Sequence, residues 1–121
     1  MEVLEAAASE AFLMRLIRFL RRRYAAAVNH LDDHSLEAGV RVAVARARGY
    51  GLKWESSLAI FVTATFVVGD DFDQYPPIRQ ILTDHSIPPD TRVYLLRERI
   101  TEGEWGQARK MLRLIAAAEA K

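Results

Sequence analysis

The chain has 121 residues, 50% of them hydrophobic and 27% charged, with 17 Lys/Arg against 16 Asp/Glu for a net charge of +1. That is the composition of one globular domain spanning 1–121, not of a disordered tail. The absence of cysteine excludes disulfides, thiolate metal sites and thiol nucleophiles.

The chain starts MEVLEAAASEAFLMRLIRFLRRR. Its acids precede the apolar segment and its arginines follow it, the reverse of a secretory signal, so a cytoplasmic location is expected. The first predicted helix covers 9–24, with Ser9 as N-cap and 1–8 frayed. Phe12, Leu13, Leu16, Ile17, Leu20 and Tyr24 recur at the helical period, and Phe19 widens the apolar stripe. Residues 25–33 either extend this helix or form a short second turn. The next helix covers 35–48, with Leu36, Val40, Val44 and Ala47 on one face, and Gly49 or Gly51 ends it.

Residues 54–68 hold the apolar run IFVTATFVV, whose β-branched residues would suit a strand. Its length favours a helix, and no second strand-like run exists to pair with it. A helix apolar all round belongs at the centre of a bundle. The run is also well short of the roughly 18 residues a membrane span needs, so no membrane contact is expected. Pro76 and Pro77 open a short helix ending near Asp84, and Pro88–Pro89 open another through Arg99, with Val93, Leu95, Leu96 and Ile100 inward. Thr101 and Glu104 have the spacing of a capping box for the last helix, which runs through Trp105, Ala108, Met111, Leu112 and Ile115 and frays over 117–121. The predicted fold is all-α: a compact bundle of about five to six helices around a central apolar helix.

Three polar clusters invite a chemical reading. His30, Asp32, Asp33 and His34 offer two histidines four apart, but a zinc site needs further ligands, and a polar turn capping the next helix through Asp33 or Ser35 explains the same residues. Asp70, Asp71 and Asp73 in GDDFDQYPP suggest calcium. Counted from Asp71, however, the EF-hand glycine and glutamate positions hold Pro76 and Leu82. A turn or a partner contact fits better. Arg15, Arg18 and Arg22 share a helical face, yet the overall charge lacks the excess of a nucleic-acid domain, and a solvated helix face is the preferred reading. Trp54 and Trp105 suit packing at helix starts, and either could anchor an interface. No nucleophile motif, metal site or cofactor site emerges, and no enzymatic activity is expected.

The stretch RARGYGLKWESSLAIFVTATFVVGDDFDQYPPIRQILTDHSIPPDTRVYLLRER carries an ordered pattern. An Ala/Arg-rich helix ends in Tyr50-Gly51. An apolar helix and Gly69 follow, then Asp71-Phe72-Asp73, a proline, Ile81-Leu82 and a helix opening at Pro88 to Asp90. Over roughly residues 12–100 this resembles small helical bacterial proteins encoded beside type VI secretion effectors and their adaptor chaperones. It departs from them at Lys53-Trp54-Glu55-Ser56, and the chain from Thr101 on lies outside the pattern. The resemblance implies a co-adaptor. Such a protein helps an adaptor chaperone hold an effector before loading onto a VgrG or PAAR tip protein, without enzyme activity or cofactor. An immunity role against the effector is the alternative, and a nucleic-acid-binding module the next. For partner binding, Asp70, Asp71 and Asp73 would set register, as interface charges do, with Phe72 among them as a further contact candidate. The apolar face would come from the first helix (Phe12, Leu16, Phe19) or the last (Trp105, Leu112).

Overall fold

Alanine, leucine, glutamate and arginine dominate the start of the chain, and these strong helix formers make one long helix, α1 (Glu2–Arg23). It begins ahead of the expected cap at Ser9, because EVLEAAA has no helix breaker in it. The structure is a computed structural model that describes the backbone of residues 2–119 and the side chains of residues 10–110. Phe12, Leu13, Leu16 and Leu20 are buried, as the periodicity predicts, whereas Tyr24 stays exposed. The chain breaks at Tyr24 and resumes as the single-turn helix α2 (Ala25–Val28). So short a helix leaves its last carbonyls unpaired. The Arg21 guanidinium closes that end, donating to the carbonyls of Val28 (3.1 Å) and Leu31 (2.9 Å) and to Asp33 (2.9 Å).

Helix α3 (Asp33–Gly49) buries Leu36, Val40, Ala43, Val44 and Ala47 along one face. Its cap is Asp32, one residue earlier than expected, whose carboxylate accepts the Ser35 N–H at 2.7 Å. Helix α4 (Glu55–Val67) is the ambiguous apolar run, and it is a helix. It packs on α1, α2, α3 and on α6 (Pro89–Arg99), which makes it the central helix of the bundle. Ser57, Leu58, Phe61, Val62 and Thr65 form its inner face, and the Thr65 hydroxyl donates to the Phe61 carbonyl at 3.0 Å. At Gly39 on α3 an added Cβ would lie 3.1 Å from Phe66, so the two helices approach closely there.

Past α4 the chain turns at Gly69 into a 3₁₀ turn, Phe72–Gln74, and then into α5 (Pro76–Leu82), with prolines in its first turn. Val93, Leu96 and Ile100 of the α6 stretch are buried, and Leu95 is half-buried. The capping box of α7 (Glu102–Glu119) forms: Glu104 N–H donates to the Thr101 hydroxyl and Thr101 N–H to Glu104, each at 3.1 Å. Trp105 and Ala108 fasten α7 to the core. The fold is an all-α bundle of seven helices among the described residues, α2 being the one left undecided by the sequence. No described helix is long and apolar enough to cross a membrane.

Candidate partner-binding groove

Two features lie on this scaffold: a polar junction that fixes the loops, and an apolar groove that the loops leave open. The junction is built on Asp73, which is 1% exposed. Its carboxylate pairs with Arg46 and accepts hydrogen bonds from the Tyr50 hydroxyl at 2.6 Å and from Gln74 at 3.1 Å. Arg46 also donates to the Asp70 carbonyl and lies 3.7 Å from the Asp71 carboxylate. Burial, reinforced by the bond to Asp73, pushes the Tyr50 phenol up to about 12. Beside this cluster, Phe72 is fully buried, edge-on to Phe61 at 4.9 Å and 6.4 Å from Trp105.

On the far side of Tyr50, Gly51 adopts φ +92°, and a Cβ there would lie 3.0 Å from Pro89. The neighbouring Asp90 accepts the N–H groups of Lys53 (2.9 Å) and Trp54 (2.8 Å). It thereby caps α4, whose own N-cap residue, Trp54, makes no side-chain capping bond. Burial raises the pKa of Asp90, but these N–H bonds and the Ser57 hydroxyl outweigh it and hold the carboxyl below its ordinary value. Tyr50, Gly51, Phe72, Asp73, Pro89 and Asp90 thus serve the packing of the domain itself.

The groove lies along the outer side of α4. Ala59, Ile60, Thr63, Ala64, Val67 and Val68 form its floor, all only half-buried. Phe19 and Tyr24, ring to ring at 5.7 Å, form one wall. Trp105, Gly106 and Arg109 of α7 form the other, with Arg97 and Glu102 also on the lining. The open volume is about 670 Å³. Among the described residues the buried Arg109 Nε has no hydrogen-bond partner. Leaving such a donor unmatched costs roughly 1–3 kcal/mol. A shallower patch of about 290 Å³ continues past Phe19 and Ala59 over Phe12 and Leu16, rimmed by the Arg15–Glu55 ion pair.

The residues expected to meet a partner separate accordingly. Phe12 and Leu16 (7% and 3% exposed) belong to the core, reaching the surface only beneath the shallow patch. Phe72 and Asp73 are internal too, because α3 and α4 close over them. Asp70 and Asp71 remain exposed. Phe19, 42% exposed, and half-buried Trp105 stand on opposite walls of the one groove, so one residue from each alternative face lines it. The Leu112 side chain lies outside the described residues. Sequence reasoning missed Gly106, Arg109 and the α4 floor; the one signal was that α4 has no polar face to spare for solvent. His30 sits in the turn after α2 and His34 on α3, so they do not share a helix. Among the described residues no histidine–carboxylate group is arranged to hold a metal ion.

Fold and site together define a small helical bundle with an open apolar groove. The chain matches no protein-family model, no curated protein and no solved structure.

Proposed function

We propose that this chain is a cytoplasmic, non-enzymatic protein-binding domain of the co-adaptor type, helping an adaptor chaperone hold a type VI secretion effector for loading onto a VgrG or PAAR tip protein. The observation that carries the binding role is the groove over α4. It is open to solvent, with an apolar floor on α4 and aromatic residues on both walls. A small substrate would sit there largely in water, whereas ligand sites usually enclose most of their ligand. A protein segment would cover Ile60, Val67, Phe19 and Trp105 together. The co-adaptor assignment rests on the ordered motif from Tyr50-Gly51 to Pro88–Asp90. Those residues build the junction that holds α3, α4 and α6 together, so proteins sharing the motif would share this scaffold. Asp70 and Asp71 are exposed beside the junction, away from the residues that line the groove, and would offer a partner a second, negative contact for register.

The test is co-purification of the tagged chain with the products of its flanking genes, followed by gel filtration. Recovery of a stoichiometric complex with an adaptor, effector or tip protein supports the reading. Recovery of none of them removes it. Deleting the gene then separates the two roles: a co-adaptor is needed for effector export, an immunity protein for survival of the effector's own producer.

A further inference from the structure

We infer that the groove receives an amphipathic helix of the partner protein, carrying a carboxylate that meets Arg109. This rests on the protein-binding reading above and adds the form and charge of what is bound.

The first argument concerns backbone groups. The walls and floor come from helices α1, α4 and α7, with Tyr24 at the α1–α2 break and Val68 at the end of α4, so no strand edge lines the groove among the described residues. An extended segment lying there would lose water from its own backbone and find no partner for it. A helix satisfies its backbone internally and needs only side-chain complementarity. The floor from Ala59 to Val68 is about 14 Å long at 1.5 Å per residue, which matches two to three turns of a guest helix.

The second argument is clearance. Gly106 lies inside α7 and lines the groove, where an added Cβ would meet no atom within 4 Å. Glycine weakens a helix interior relative to alanine. Nothing within the domain requires the missing side chain. What it provides is space facing the groove, opposite the small residues Ala59, Thr63 and Ala64. Small residues on both sides let a third helix seat deeply between α4 and α7.

The third argument is charge. Arg97 and Arg109 line the groove against one acid, Glu102. A carboxylate on the flank of the guest helix would pair with these guanidinium groups and fix the register of docking.

The probe is a fluorescein-labelled 16-residue designed amphipathic peptide with leucines at helical spacing and one flanking glutamate, beside the same peptide with lysine in place of glutamate. Binding to the full chain is read by anisotropy, and the site by amide NMR shifts. The expected result is saturable binding of the glutamate peptide, about tenfold tighter than the lysine peptide, with shifts at Ala64, Val67 and Gly106. Gly106→Leu fills open space, so it should retain the thermal midpoint and weaken binding at least tenfold. Arg109→Glu should reverse the charge preference. No saturable binding, indifference to peptide charge, or undiminished binding by a folded Gly106→Leu chain overturns the inference. If Gly106→Leu still co-purifies with a neighbour-encoded protein, the groove assignment fails while the protein-binding role stands. If the peptide binds as expected and no neighbour co-purifies, the groove stands and the secretion role fails.

Discussion

Tyr50 and Asp73 show how single residues hold the loops that frame the groove. The Tyr50 phenol is displaced to about 12 by burial first and by its bond to Asp73 second. The folded state therefore retains a proton that the unfolded chain releases near the usual tyrosine value of about 10. Stability from this group is complete below pH 10 and is lost as pH rises through about 12. Alkaline denaturation series should show that decline, and Tyr50→Phe should flatten it. An unchanged slope in Tyr50→Phe would assign the decline to another group. Asp90 has the opposite sign. Its folded pKa is depressed, so its contribution is present above the ordinary aspartate value and disappears as pH falls through the folded one. Asp90→Ala removes the carboxylate that caps α4 and should cost about 1–2 kcal/mol in urea denaturation at pH 7. Asp90→Asn keeps an acceptor oxygen for Lys53 and Trp54 and should cost less, while losing the acid dependence.

At the scale of elements, two glycines make opposite demands. Gly51 ends α3 in the left-handed region against Pro89, so Gly51→Ala should destabilise by about 1–2 kcal/mol or more. Gly106 sits in open space inside α7, so Gly106→Ala should stabilise by about 0.5–1 kcal/mol. Equal effects in denaturant midpoints would contradict the packing described for both. The helices themselves were largely legible: periodicity located the buried face of α3, length decided α4, and the spacing of Thr101 and Glu104 marked the start of α7. The long-range partners were not. Phe72 and Asp73 look like free loop residues because the groups that bury them, Arg46, Tyr50 and Phe61, come from other elements. Asp90 caps a helix 36 residues away along the chain, which no local pattern encodes. The groove was hidden for a related reason. A helix apolar on every side does not reveal which side its neighbours leave uncovered, and here the placement of α1 and α7 decides it.

At the scale of the molecule, the question is whether the arginines of the first half form a surface for nucleic acid. Arg15 pairs with Glu55 at 2.7 Å, Arg21 with Asp33 at 2.9 Å, and Arg41 with Glu10 at 2.7 Å and Glu37 at 3.3 Å. Exposed pairs of this kind add little stability, because water and salt screen them. Their consequence is electrostatic: Arg15, Arg21 and Arg41 each carry a counter-charge, which reduces the positive potential of this surface. Of the α1 arginines, Arg18, Arg22 and Arg23 stand outside these pairs. Three phosphate contacts would give a slope of log affinity against log salt no steeper than about −3. Anisotropy titrations of labelled single- and double-stranded oligonucleotides should therefore show weak association at low salt that fades gently as salt is raised. A slope near −6 or steeper would require the paired arginines to leave their carboxylates for phosphate. It would move the functional surface from the α4 groove to α1, because only a continuous basic face could release that many counterions.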